Sequence, residues 1–263
     1  LLEDQDYVAL FWAQVNGKNY YNVGNLRNVV VNYADVDSNL EERAAFYQKF
    51  AFSTENAVNE TVTLVRPFAQ LNIGTTLESL DMDYHVDVLE SSVTVANPAY
   101  IFDVNAGLGK TATDEAVVFN QATKPDEALL VNDVRYEYVA MNYILVNDGA
   151  ADGTGSVDGT EKSLTDVSFA IYEGEGLQLC SYDVPNVPVQ RNYRSHILGS
   201  LLTAQGEITV VIEPAFEEPD YVVNVWDGYS VSEPQKDAEG NGLALEKQSD
   251  EIKRYMNLYS TYY

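Results

Sequence analysis

The chain is poor in the residues that most often carry chemistry, and each shortage removes a class of function. Its 263 residues include two histidines, one cysteine and 15 lysines and arginines. Cys180, standing alone, can form neither an intrachain disulfide nor a thiolate metal cluster. His85 and His196 fit no HExxH or other zinc-ligand spacing. The cations are outnumbered by 41 Asp and Glu, giving a formal charge of −26. A surface of that sign repels phosphate backbones and anionic lipid, which excludes nucleic acid and anionic membrane surfaces as partners. No run of eighteen apolar residues exists and residues 1–20 lack a basic-then-apolar leader, so no direct membrane span is expected and any export signal would already have been removed.

Helical signals are also scarce. Ser38 and Glu41 have capping-box spacing around Leu40, Ala44, Phe46 and Tyr47, which predicts one short helix over a sheet edge. After Ser249, the residues Ile252, Tyr255, Met256 and Tyr259 follow a helical period, with Asp250 and Glu251 in the first turn. Met256, Leu258, Ser260 and Tyr262 alternate there as a strand would.

What the chain does have is tyrosine: 19 Tyr, against 9 Phe and 2 Trp, set among Val, Ile and Thr in short runs. That vocabulary is one of β-strands. The runs fall at 7–15, 28–34, 61–66, 69–75, 84–89, 99–104, 116–120, 135–146, 166–172, 177–183, 207–213 and 221–226. Many short strands at close intervals predict an all-β protein of sandwich-like domains. Along 80–88, Leu80, Met82, Tyr84, Val86 and Val88 share one face while Asp81, Asp83, His85 and Asp87 share the other, one buried and one wet. Ile208, Val210 and Ile212 alternate likewise before Pro214 denies a further ladder bond, as at a closing strand. Proline and charge over 214–220 read as a linker, so the spacing divides the chain into 1–77, 78–216 and an extension 217–263.

The search for catalytic constellations yields none. The stretch from Gly228 through Ser230 to Ser232 misses the nucleophile-elbow pattern at its last position. Gly109-Lys110-Thr111 copies the end of a phosphate loop but has Val104 where the first glycine belongs, so it reads as a turn. Cys180, alternating with Leu177 and Leu179 in a strand run, reads as a buried inert thiol rather than a nucleophile for His196. Same-face strand residues stand about 7 Å apart, so the Asp81, Asp83, His85, Asp87 stripe cannot close on one ion. Asp148, Asp152 and Asp158 lie in a glycine-rich stretch that reads as a flexible hairpin loop, with a calcium site as the alternative. No catalytic, cofactor or metal residues are therefore expected, and the acidic surface is explained by solubility outside a cell.

Two stretches carry a specific resemblance. One is Leu64-Val-Arg-Pro-Phe-Ala-Gln-Leu-Asn-Ile-Gly74; the other is Val187-Pro-Val-Gln-Arg-Asn-Tyr-Arg-Ser-His-Ile-Leu-Gly-Ser-Leu-Leu-Thr203. In order and spacing they resemble the fimbrillin-like proteins of Bacteroidales over about residues 5–216. Physically, Arg66-Pro67 breaks a strand and Phe68 restarts apolar pairing, so the chain can cross between sheets. Pro185 and Pro188 keep the backbone extended, while Arg191, Tyr193 and Arg194 cover apolar neighbours with their charges left in water.

The resemblance implies two transthyretin-like β-sandwich domains in tandem, exported as a lipoprotein and displayed on the outer membrane as part of a type V pilus. Subunits of that family assemble by strand exchange. Removal of the first strand of the N-terminal domain opens a groove that a neighbour's strand fills, and the start of this chain at Leu1, just before the run 7–15, is what an absent first strand would leave. Strand-capable donor residues in the extension are Tyr221, Val223, Val225, Met256, Leu258 and Tyr262. Expected partners are other copies or paralogous fimbrial subunits, with host or bacterial surface proteins or glycans as adhesion targets. The alternatives are a tip or accessory adhesin and a surface glycan-binding lipoprotein, the latter with Tyr20, Tyr21 and Tyr229 stacking on sugar rings.

Overall fold

Tyrosine-rich and β-branched runs form strands almost throughout the computed structural model, which describes residues 1–56, 58–76, 90–111, 115–121, 128–148, 162–173, 176–202, 208–213 and 259–260. In chain order these are β1 (Asp6–Gln14), β2 (Tyr21–Asn22), β3 (Val29–Val31), β4 (Asp37–Ser38), β5 (Ala45–Ser53), β6 (Phe68–Thr76), β7 (Glu90–Val95), β8 (Ile101–Asp103) and β9 (Leu108–Lys110). There follow β10 (Val117–Gln121), β11 (Leu129–Val131), β12 (Val134–Leu145), β13 (Ser163–Glu173), β14 (Leu177–Val189), β15 (Arg194–Gly199), β16 (Ile208–Glu213) and β17 (Tyr259–Ser260). The protein is all-β, and one turn of 3-10 helix, Glu41–Arg43, is the only helical element among the described residues.

Four sheets result, with strand orders β17-β1-β5, β14-β13-β7-β10-β4, β11-β12-β6-β15-β16 and β2-β3-β8-β9. Strand pairing crosses residue 77 in all four: β4 joins β10, β3 joins β8, β6 lies between β12 and β15, and β17 joins β1. The central place of β6 explains why its first eight residues are all buried, since a strand flanked on both edges and covered on both faces has no wet side. Leu71, Ile73, Ile144 and Ile197 of its sheet share one hydrophobic cluster with Val93, Val95, Phe119, Val167 and Phe169 of the other five-stranded sheet. Trp12, Tyr21 and Phe102 extend that cluster under the smaller sheets. Trp12 meets Tyr21 edge-on at 5.4 Å and Tyr47 meets Phe102 edge-on at 4.5 Å, arrangements that add to the area buried.

The structure corrects several expectations. No helix follows Ser38: after the 3-10 turn the chain enters β5, which pairs with all nine residues of β1, from Asp6 opposite Ser53 to Gln14 opposite Ala45. Asn39 is held in the left-handed region at φ 63° and exchanges bonds with Met141, its N–H donating to the Met141 carbonyl and its Oδ1 accepting from Met141 N–H, both at 2.7 Å. Tertiary pairing thus overrides a local capping signal worth about 1 kcal/mol. The expected strand 61–66 is irregular chain with one bridge, Val65 to Tyr47. Strands β2, β4, β5, β7, β9, β11 and β15 fall outside the expected runs. The run 80–88 and the helical candidate 250–258 lie outside the described residues, and Tyr259–Ser260 is strand.

Gly109-Lys110 is strand rather than turn, the turn being made at Gly107 with φ +67°. Gly109 is needed for a different reason, because a Cβ there would stand 2.0 Å from the Val146 carbonyl oxygen. Gly176, with φ +80°, has open space around it. Gly109→Ala should therefore cost roughly 3 kcal/mol or more, through backbone displacement, whereas Gly176→Ala should cost about 1 kcal/mol, through its left-handed φ alone. Urea unfolding of the two variants measures the difference, and equal costs would refute the steric assignment.

Candidate functional site

The two sequence motifs, more than a hundred residues apart, meet in one place. Pairing of β15 with β6 is parallel and sets Arg194 opposite Gln70 and His196 opposite Asn72. Just before it, the turn at residues 190–193 is tied to the first motif by three bonds. Asn192 N–H donates to the Phe68 carbonyl at 3.0 Å, Gln70 N–H donates to the Tyr193 carbonyl at 3.0 Å, and Arg66 N–H donates to Asn192 Oδ1 at 3.4 Å. Asn192 adopts φ 65°, which an Asn side chain tolerates better than most. Pro67 lies where the chain leaves its bridge at Val65 and enters β6. Pro188 lies in β14, an edge strand, where a missing N–H leaves no ladder bond broken.

Arg191 occupies the centre of this junction. Its guanidinium donates to Asp148 Oδ2 at 2.9 Å, to Tyr47 Oη at 2.8 Å and to the Gly107 carbonyl, and lies over the Phe102 ring at 5.5 Å. Asp148 Oδ2 also accepts from Gly109 N–H at 2.7 Å. One cation thus fastens the chain after β12, the β8–β9 hairpin and β5 to the second motif. The expectation that the motif arginines keep their charges in water is corrected here, since Arg191 is 6% exposed and its charge is met inside by a carboxylate. Burial pushes the Asp148 carboxyl up from its ordinary value even against the opposing pull of Arg191 and the Gly109 N–H. Arg66, also buried, stacks its guanidinium on Phe46 at 4.6 Å. Arg194 is half-buried on β15 beside His196.

His196 is 1% exposed and its pKa is pushed down to about 4 by burial, with the Arg194 charge adding to the effect. Asn72 Nδ2, which can only donate, lies 3.3 Å from His196 Nδ1 and 3.4 Å from Gln70 Oε1. The contact assigns the neutral ring its proton on Nε2. His196 and Cys180 are in different sheets, and burial pushes the Cys180 thiol up, away from reactivity. Among the described residues no group of three or more His, Cys, Asp and Glu could hold a metal ion. Asp148 is engaged by Arg191, while Asp152, Asp158 and the stripe from Asp81 to Asp87 lie outside the described residues.

The tyrosines read as sugar platforms are otherwise occupied. Tyr21 is buried against Trp12 and Phe68, and Tyr20 has the Arg43 guanidinium 4.7 Å from its ring centroid and donates its hydroxyl to Glu42. Tyr229 and the donor candidates Tyr221, Val223, Val225, Met256, Leu258 and Tyr262 lie outside the described residues. One part of the extension is described: β17 pairs antiparallel with β1, Tyr259 opposite Trp12 and Ser260 opposite Phe11. Among the described residues no helix is long and apolar enough to cross a membrane. The Arg191–Asp148 pair carried no sequence signal beyond the motif itself, because Asp148 sits in what reads as a loop.

The chain matches, over residues 1–252, a family described as Family of unknown function (DUF6562). No curated protein matches. Among solved structures it is similar to a protein of Bacteroides ovatus ATCC 8483 provisionally described as a cell adhesion protein, at 11% identity and TM-score 0.42, covering 81% of this chain and 69% of that one. It is similar to a Bacteroides thetaiotaomicron VPI-5482 structure provisionally described as polysaccharide binding (DUF1812), at 13% identity and TM-score 0.43, covering 81% and 76%. It is also similar to a C-terminally truncated form of the tip fimbrial protein Mfa3 from Porphyromonas gingivalis, at 11% identity and TM-score 0.38, covering 80% and 94%. Overlaps this loose carry no functional argument, so a functional reading has to rest on the chain's own residues.

Two measurements check the junction. Arg191→Met should cost about 3–5 kcal/mol, because it strands a buried carboxylate, and adding Asp148→Leu should restore only part of that loss. Restoration is partial because Gly109 N–H, the Gly107 carbonyl and Tyr47 Oη lose their partners as well. For His196 the folded value lies below the unfolded one, so its contribution is full above about pH 6.5 and is lost as the pH falls towards about 4. Between about pH 7 and pH 4.5, urea stability should fall less in His196→Asn than in the parent, by roughly 2 kcal/mol. Parallel pH profiles would show that the ring is not held neutral.

Proposed function

Because the chain belongs to DUF6562, a family without an assigned function, we propose a role from its own residues: a structural, non-catalytic subunit of a bacterial surface fimbria of the type V pilus kind. It would be exported as a lipoprotein, displayed at the outer membrane, and joined to copies or paralogues of itself by exchange of β-strands in support of adhesion.

The observation that carries this reading is the pairing of β17 with the edge of β1. β1 is satisfied on one side by all of β5, and its other edge takes a strand from the far end of the chain. An edge with unpaired N–H and C=O groups beside an apolar core binds any suitable strand, whichever chain supplies it. Residues 214–258 separate β16 from β17 and could extend roughly 150 Å, far enough to reach β1 of a neighbour as readily as that of the same chain. The meeting of the two motifs at Arg66, Phe68, Asn192 and Tyr193 adds support, since the resemblance to fimbrillin-like proteins rests on those stretches.

Electron microscopy of the purified chain at high concentration, beside a form ending at Pro219, tests the proposal. Filaments from the full chain that vanish on truncation are expected. Filaments from both forms would remove the tail as donor. Monomers from both would turn the reading towards a tip or accessory adhesin that does not polymerise.

A further inference from the structure

The β1–β5 ribbon has a second face and a second edge that the tail does not use. Paired residues share a face, so Trp12 with Tyr47 defines the side turned to the core, and Tyr7 with Phe52, Ala9 with Phe50, Phe11 with Gln48 and Ala13 with Phe46 define the other. That second side carries five aromatic residues, all half-buried and with Phe46 packed against the core, whereas Val8, Lys49 and Ala51 on the Trp12–Tyr47 side are exposed at this end of the ribbon. Tyr7 stacks on Phe52 at 5.7 Å and Phe52 on Phe50 at 5.6 Å, with interplanar angles of 25° and 17°. The stack covers both faces of Phe52 and one face each of Tyr7 and Phe50. Such a ladder is continued by another strand alongside, whose side chains would arrive at about the same 5 Å spacing.

The backbone of β5 is open on that side. Tyr47 exchanges both its N–H and its C=O with Val65, at 2.8 and 3.0 Å, so its main-chain groups point away from β1. By the two-residue period those of Lys49, Ala51 and Ser53 do too. Lys49 N–H is met by its neighbour Gln48 Oε1 at 2.9 Å. For Ala51 and Ser53 no strand lies alongside among the described residues, and Ala51 is exposed. The ribbon end is apolar on its surface, with Val8 48% exposed and Leu1 and Leu2 more so, and it is rimmed by exposed Glu3, Asp4, Asp6 and Glu55.

We propose that residues 49–53 of β5 form a strand-addition site for a different polypeptide: an extended segment with aromatic or β-branched residues at alternate positions and lysine or arginine between them. The alternate apolar side chains prolong the Tyr7–Phe52–Phe50 stack, the backbone pairs with Ala51 and Ser53, and the cations meet the carboxylate rim. A second copy joined β5 to β5 is disfavoured, because a twofold contact brings two identical acidic rims together. This edge is distinct from that of β1, which the tail occupies.

The test uses the full chain and a fluorescein-labelled peptide of alternating valine and lysine, with an alternating valine–glutamate peptide as control. Fluorescence anisotropy should show saturable binding of the first peptide and not of the second. Ala51→Pro removes an outward N–H that no strand uses, leaves the charge unchanged, and should weaken binding about tenfold. Unchanged binding by Ala51→Pro would reduce the effect to charge attraction and overturn the proposal, as would absence of binding. Hydrogen exchange on the unsubstituted chain gives an independent reading should the proline variant fold poorly. Amides of Ala51 and Ser53 should slow on peptide addition, and slowing elsewhere with none at residues 49–53 would also overturn it.

Discussion

The arrangement of the loops depends on one buried charge. Arg191 reaches Asp148, Gly107 and Tyr47, and Asp148 in turn holds Gly109. Neither charge is worth much to stability alone, since desolvating an ion pair offsets most of its attraction. What the pair supplies is position. A guanidinium has its donors in a fixed fork, so the three segments that meet it are set relative to one another and to its own turn by geometry rather than by apolar area alone. Gly109 must then pass close to the Val146 carbonyl, which explains why no larger residue could occupy that place.

The fold class could be read directly from composition, and β1, β6, β12, β13 and β16 were legible because each combines β-branched or aromatic residues with alternation. β5 was not, because Ser38 and Glu41 imitate a helix start, and Phe46, Phe50 and Phe52 on one face with Ala45 and Tyr47 on the other leave no alternation of apolar and polar residues. β15 was hidden for a related reason: Arg194, Ser195 and His196 look like surface residues, yet Ser195 and His196 are fully enclosed beside β6. Pairing between strands so distant in sequence leaves no local trace. The motif stretches could be picked out as units, but their contact with each other could not, and neither could the partner of Arg191.

Two kinds of surface follow for a protein of this design. The edge of β1 is paired at Phe11 and Trp12 by β17, while the other side of the same ribbon carries the stacked rings of Tyr7, Phe52 and Phe50. Stacking of Tyr7, Phe52 and Phe50 covers both faces of the middle ring, which favours a partner of matching spacing over indiscriminate contact.

The parallel pairing of β6 with β15 has a consequence for the order in which the molecule can form. Gln70 finds its place beside Arg194 only after more than a hundred further residues have been made, and β6 is the strand on which its whole sheet is centred. Closing so long a loop must precede the contacts that reward it, so the sheet centred on β6 cannot be completed until synthesis has passed β15. The first third of the chain therefore leaves the ribosome before the strands that complete its sheets exist: β3 waits for β8, β4 for β10, and β6 for β12 and β15.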